Sequence, residues 1–272
     1  GSKAFILNRI GDFGFLIGLM MILNYFETFN FLSIFENTLK TRPENLDLII
    51  LFLLLGAFGK SAQFPLFSWL PDAMEGPTPA SALIHAATMV TAGVFMLVRI
   101  SPLLQFSEIG SITIISLGLL TALISAFAAI NQDDIKKVLA YSTISQLGFM
   151  FIAIGAGAYV AAIFHLVTHA FFKALLFLGA GAVIHEMHHE QNIYKMGGLR
   201  KKMPVTAAMM GIGTLAISGI PPLAGFWSKD EILASVFSKG GIYYGFWALS
   251  LLAALMTAFY MGRHWLLIFV KE

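Results

Sequence analysis

The sequence predicts an all-α fold: a polytopic transmembrane helix bundle, with two discontinuous helices related as an inverted repeat. Three observations carry this expectation. The chain is 58% hydrophobic and 12% charged, against roughly 25% charged for a typical soluble domain. Its apolar residues fall into eight runs, most of them near the roughly 20 residues that a bilayer-spanning helix needs. Two of those runs carry glycine and proline in their middles, and ionisable side chains stand inside several.

The first run, Ala4–Phe26, holds Asp12 about a third of the way along. Asp12 is the carboxylate best placed to face a buried lysine; it can equally serve as a cap or edge residue. Leu46–Trp69 carries Gly56, Gly59, Lys60 and Pro65 near its middle. Proline removes a backbone donor and clashes with the preceding turn, and glycine weakens a helix. The run therefore reads as two half-helices broken between Gly59 and Pro65. Such breaks are tolerated at membrane depth where the freed backbone is buried in protein or faces water. Lys60 stands beside the break at mid-span, too deep to snorkel readily to the interface. A lysine held there can exchange its proton as a partner charge moves.

Ala80–Ile100 follows the turn Gly76-Pro77-Thr78-Pro79 and holds His85, with Thr88 and Thr91 on its general side. Histidine can relay protons near neutral pH, but a single one on an apolar helix also serves as a hydrogen-bonded core residue. Ile109–Ile130 and Lys137–Ile154 read as plain spans. In Tyr159–Ile184, His165, His169 and Lys173 recur at steps of four, which stacks them on one helical face. An ionisable group at bilayer depth costs about 3 kcal/mol, so such groups persist only with partners or water. The column reads as a path for protons; the alternative is a polar stripe that joins helices. Val205–Phe237 is too long for one upright span. It carries Gly219, Pro221, Pro222 and Gly225, then Lys229, Asp230 and Glu231. It reads as a second broken helix. Its charged trio is either a solvated cap, with acids favouring a helix N-terminus, or the exit of a proton path. Ile242–Phe269 is the last span.

FPLFSWLPDAM follows the first break and PPLAGFWSKDEI surrounds the second. Both set Pro-Leu ahead of an aromatic, Trp and acidic cluster, which fits the inverted repeats of transporters. Lys3, Lys136, Lys137, Lys195, Arg200, Lys201, Lys202 and Lys271 fall on one side of the membrane. Lys40, Arg42, Arg99 and Lys239 fall on the other. The positive-inside rule puts the first set, and both termini, in the cytoplasm or matrix. The connectors Glu27–Asp47 and His185–Met203 read as short loops. No cleavable signal peptide is visible, and GSKAF runs directly into an apolar segment, so the chain reads as a fragment or a trimmed chain.

The formal net charge of +2 gives no polybasic surface for nucleic acid. The absence of cysteine excludes disulfides, thiolate-held iron–sulfur clusters and cysteine zinc sites in this chain. No phosphate-binding glycine loop, haem motif or flavin motif occurs. Residues 185–189, HEMHH, match the H-E-x-x-H of zinc proteases, in which two histidines on one helix hold the metal and the glutamate is the base. This match falls where an apolar helix ends, without an evident third ligand, and makes an intramembrane zinc protease a remote alternative.

Five stretches then resemble one family. FGKSAQFPLFSWLPDAMEGPTPASALIHAATMVTAGVF, DDIKKVLAYSTISQLGFMF, HLVTHAFFKALLFLGAG, HHEQNIYKMGGLRKKMP and GIPPLAGFWSKDEIL are similar to the antiporter-like membrane subunits of NADH:quinone oxidoreductase, respiratory complex I. The similarity runs from about Lys3 to the C-terminus. IHAATMVTAG and the HHEQNIYKMGGL loop resemble the distal, chain-5 or L-type subunit. Mrp-type sodium/proton antiporter subunits share much of the rest and supply the alternative reading.

The resemblance implies a proton-pumping translocase module without a redox centre of its own. No cofactor or metal is expected in the chain, with NADH, FMN, iron–sulfur clusters and quinone in partner subunits. The expected partners are other complex I membrane subunits, above all the neighbouring antiporter-like subunit. The expected site is a bacterial cytoplasmic membrane or the mitochondrial inner membrane. Lys60 matches the family's lysine on a broken helix, Asp12 a secondary carboxylate near it, and His165, His169 and Lys173 the connecting relay. Lys229 with Asp230 matches the outlet. The resemblance also implies five-helix repeats: residues 1–104 as the remainder of the first, with three spans, and 105–272 as the second, with five. The family's glutamate-bearing helix, which pairs with the first lysine, is absent from this sequence, as are its first helices and its C-terminal lateral helix. The input half-channel is therefore expected to be incomplete in this chain.

Overall fold

The computed structural model describes residues 1–271 and builds them from helices; among them the β contact is an isolated antiparallel bridge between Asp134 and Asn192. In chain order the first helices are α1 (Ser2–Phe26), α2 (Phe31–Lys40), α3 (Leu46–Lys60), α4 (Trp69–Asp72), α5 (Thr78–Ala86), α6 (Ala92–Arg99) and α7 (Ser101–Leu104). Then follow α8 (Glu108–Ile130), α9 (Ile135–Gly155), α10 (Tyr159–Glu186) and α11 (Leu199–Lys202). The last are α12 (Pro204–Ser218), α13 (Ala224–Ser238) and α14 (Tyr243–Phe269). Six stretches are long and apolar enough to cross a membrane: α1, Thr78–Arg99, α8, α9, α10 and α14.

Cap chemistry fixes several ends. Asp134 accepts from the backbone N–H of Lys136 and Lys137 at 2.8 and 3.0 Å, opening α9. Asn30 does the same for α2. Ser107 opens α8 by accepting from Gly110 N–H at 2.9 Å, and its hydroxyl donates to the Asp47 carboxylate. Ser107→Ala removes the cap and the buried donor together. It is expected to cost about 1–2 kcal/mol, read as a lower unfolding temperature in detergent; an unchanged midpoint would contradict this role.

Three expectations need correction. The connector Glu27–Asp47 is not a plain loop: Phe31–Lys40 forms α2, whose Ile34 and Thr38 are buried. Its apolar residues recur at helical spacing, and the helix packs beside α7. Within Leu46–Trp69, α3 ends at Lys60, and the second part is only the short α4 and a 3-10 turn at Ala73–Glu75. Proline at positions 65 and 71 leaves little room for a second half-helix. Ala80–Ile100 is itself interrupted: α5 stops at Ala86, Thr88 leaves helical geometry, and a 3-10 turn at Met89–Thr91 leads into α6. Neither glycine nor proline marks that break.

α9 is buried along nearly its whole length and packs against α8, α10, α13, α14 and α6. It is the axis of the bundle. α1 and α14 turn most of their length outward. The loops between α8 and α9 and after α10 join on one face. Ile135 N–H donates to Gln191 O at 2.9 Å and Ile193 N–H to Asp133 O at 2.8 Å. Arg263 donates to Gln132 O at 3.0 Å and to the Tyr194 hydroxyl at 2.9 Å. In the loop, the Asn192 backbone N–H and then the Lys195 ammonium hold the Glu190 carboxyl below its usual range.

Candidate proton-conducting site

The site is built from helix ends and one unbroken helix. α1 and α3 approach closely because Gly11 and Gly59 face each other; a Cβ on Gly11 would lie 3.1 Å from the Gly59 Cα. That contact brings Asp12 to Lys60, 3.0 Å apart. Arg9, one turn before, holds the other carboxylate oxygen at 3.3 Å. Lys60 and Asp12 remain partly open, with side chains 38% and 26% exposed. They line a cavity of about 270 Å³ with Phe15, Ala57, Gly93 and Met96. Asp12 is therefore an ion-pair partner, and its alternative reading as a cap falls away: it sits well inside α1.

On α10 the polar residues point in and the apolar ones out. His165, His169 and Lys173 are fully buried, whereas Phe171 is 76% exposed and Val167 47%. His165 Nδ1 lies 2.8 Å from the Ser228 hydroxyl, which Thr168 also contacts at 3.2 Å. His169 Nδ1 lies 3.3 Å from the Ala86 carbonyl, which the interruption after α5 leaves without its helical partner. Lys173 donates to the Leu139 carbonyl at 3.0 Å and to the Ser142 hydroxyl of α9. His85 is buried in the same interior, its ring 4.9 Å from the Phe177 ring, and neither of its nitrogens is hydrogen-bonded.

The α12–α13 break works in the same way. α12 ends at Ser218 and Gly219 takes φ 77°, a left-handed conformation that glycine adopts freely. Lys229 then reaches back to the Ile217 carbonyl at 2.6 Å, with its ammonium 5.2 Å above the Phe149 ring. Each interruption thus frees backbone oxygens into the interior. Trp69 takes up the Gly59 carbonyl at 3.1 Å, His169 faces that of Ala86, and Lys229 meets that of Ile217. Pro65, Pro221 and Pro222 all lie within the interruptions.

The structure brings His165, His169, Lys173, Ser228 and Lys229 into one interior and keeps Lys60 with Asp12 apart from them. Asp230 is exposed while its neighbour Lys229 is buried, because consecutive residues on a helix point in different directions. Glu231 is exposed too. The interior also holds polar residues outside the sequence-predicted set: Ser142, Ser145 and Gln146 on α9, and Thr257, Tyr260 and His264 on α14, all buried. For those on α9 the signal is the run YSTISQ in the most buried helix. The zinc motif loses its geometry. α10 stops at Glu186, and His188 and His189 adopt φ of 50° and 70°, so His185 and His189 do not share a helix face. Among the described residues no group of three or more His, Cys, Asp or Glu is placed to hold a metal.

Residues 1–257 match the family model described as NADH:quinone oxidoreductase/Mrp antiporter, TM. NADH-quinone oxidoreductase subunit L of Rickettsia bellii (strain RML369-C) is 52% identical over 98% of this chain and 42% of its own length. NADH-ubiquinone oxidoreductase chain 5 of Acanthamoeba castellanii is 51% identical over 98% of this chain and 41% of its own. The chain thus spans about two fifths of the length of these relatives. Among solved structures, a chain of the Mrp complex from Dietzia sp. DQ12-45-1b superposes with a TM-score of 0.91 at 34% identity, over 99% of this chain and 30% of that one.

Proposed function

The chain belongs to the NADH:quinone oxidoreductase/Mrp antiporter transmembrane family, and on that premise we propose that it is the proton-conducting part of an L- or chain-5-type subunit of NADH:quinone oxidoreductase. The observation that carries this is the buried row His165, His169 and Lys173, flanked by Lys229 and His85, inside a helix whose outer face is apolar. Buried cations without buried carboxylate partners are costly in a membrane. Here they rest on hydroxyls and backbone carbonyls, which accept from a neutral lysine or histidine N–H and more strongly from a charged one. Such a row can load a proton at one end and release it at the other without holding several charges at once. Lys60 with Asp12 is the inlet lysine of the first repeat, residues 1–104. Lys229, with Asp230 near the surface, is the outlet of the second, residues 105–272. The basic loop face lies in the cytoplasm or matrix. Energy comes from quinone reduction in partner subunits, and this chain supplies no redox centre or bound cofactor.

The 0.91 superposition on an Mrp chain favours a second reading, cation/proton exchange. The full-length protein, purified with its partners and reconstituted in vesicles, separates the two. NADH oxidation is expected to drive proton uptake that persists when sodium is replaced by choline. Uptake that follows a sodium gradient and ignores NADH would favour exchange.

A further inference from the structure

We propose that His264 carries protons between Lys173 and the loop face bearing Arg263, Asp133 and Tyr194, as a branch off the row on α10; this rests on the proton-conducting reading above. His264 is fully buried, and neither ring nitrogen is hydrogen-bonded. Leaving a buried donor or acceptor unmet costs about 1–3 kcal/mol. The position lies among apolar residues of α14, with Met261 and Ile268 buried on the same side, so an aliphatic side chain would serve packing better. An imidazole there carries hydrogen-bonding capacity that packing alone does not use.

Its surroundings supply a path. Arg263 precedes His264 on α14, and the Ile135 backbone at the start of α9 is near the ring without meeting it in hydrogen-bond geometry. One turn back on α14, the Tyr260 hydroxyl is 3.4 Å from Thr257 and sits beside Ser142, Ser145 and Gln146 of α9. Ser142 in turn receives the Lys173 ammonium. Hydroxyls of α9 and α14 thus bridge the lysine to the turn of α14 that carries His264. Steps longer than a direct hydrogen bond can be carried by bridging water. On the other side, the neighbouring Arg263 leaves the interior and reaches Gln132 O, Asp133 at 3.4 Å and Tyr194 at the loop surface. His264 stands five residues before the end of α14 at Phe269, near that face.

The chemistry balances within the ring. A neutral imidazole takes a proton on one nitrogen and releases another from the second, ending in the opposite tautomer. A tautomer flip restores it for the next proton. Arg263 cannot do this, since a guanidinium does not give up its proton; its contacts hold Asp133 and Tyr194 together at the loop face.

The test uses the intact complex in vesicles. His264→Gln keeps polarity and removes titration. Protons moved per NADH oxidised are expected to fall by roughly twofold, short of the about tenfold or greater loss for Lys173→Met. A wild-type ratio in His264→Gln beside a failed Lys173→Met overturns the branch and leaves the main reading intact; wild-type ratios in both overturn the two together. A second measurement needs no variant. The imidazole C2 hydrogen of His264 in the unmodified complex is expected to exchange with D2O over days, read by mass spectrometry of its peptide. No exchange there, while exposed His185 exchanges, overturns the branch even if His264→Gln fails to assemble.

Discussion

Lys60→Met in the assembled complex is expected to lower proton translocation by about tenfold or more, the order that loss of a positioned proton carrier produces, while assembly survives. Methionine keeps the length and removes the charge. Lys60 closes α3 with its side chain in an open cavity, so little packing is lost with it. What is lost is the ammonium 3.0 Å from Asp12. A partly exposed pair of this kind adds little stability, so a defect in Lys60→Met reports on transport and not on folding. Asp12 also contacts Arg9 at 3.3 Å, which gives the carboxylate a second cation beside Lys60. Asp12→Asn should therefore act in the same direction as Lys60→Met. Normal pumping by Lys60→Met, measured as dye quenching per NADH oxidised, would remove Lys60 from the path.

How much of this site could be read from the sequence depended on the kind of residue involved. Lys60, His165, His169, Lys173 and Lys229 stand out because charge inside an apolar run has few structural explanations. Their spacing on α10 already fixed a common face. The hydroxyls around them did not stand out. Serine and threonine inside helices commonly bond to their own backbone, as Thr257 does to Ala253 at 2.9 Å and Ser250 to Phe246 at 2.7 Å. Only the central place of α9 turns Ser142 into a lysine ligand, and that place is a property of the packing. His264 does not stand out either, since it follows Arg263 directly near the end of a span.

The interruptions divide along the same line. Those with glycine and proline were legible, since both residues act on the backbone locally. The one at Ala87–Thr88 has no such residue. Thr91 donates to the Ala87 and Thr88 carbonyls at 2.8 and 3.0 Å, and Thr88 to Leu83 O at 2.8 Å. Side-chain hydroxyls replace the helical ladder there, a substitution that threonine allows in sequence but does not announce. Helix α2 was missed for another reason: its polar residues hide a ten-residue amphipathic pattern that is short for independent stability and forms against the bundle.

Gly225→Ala is expected to damage both the fold and the transport site. Gly225 opens α13 directly against the end of α12, and a Cβ built there runs into the Ala216 carbonyl. The obstacle is backbone, so no rotamer change relieves it. α12 and α13 would have to separate, at a cost of about 3 kcal/mol or more, the upper range for overpacking. The same movement acts on the site. Ala216 precedes Ile217, whose carbonyl holds Lys229 at 2.6 Å, and Gly225 precedes Ser228, which joins His165 and Thr168. Shifting either helix by a fraction of a helical step breaks one of these contacts. Gly225→Ala should therefore lower the unfolding temperature and, in whatever complex still assembles, reduce pumping beyond the loss of protein. Lys229→Met supplies the contrast: it removes the ammonium without pushing the helices apart, so pumping should fall with far less change in stability. A Gly225→Ala complex as stable and as active as the wild type would show that α12 and α13 do not meet this closely, and the route from Lys229 to His165 would have to be redrawn.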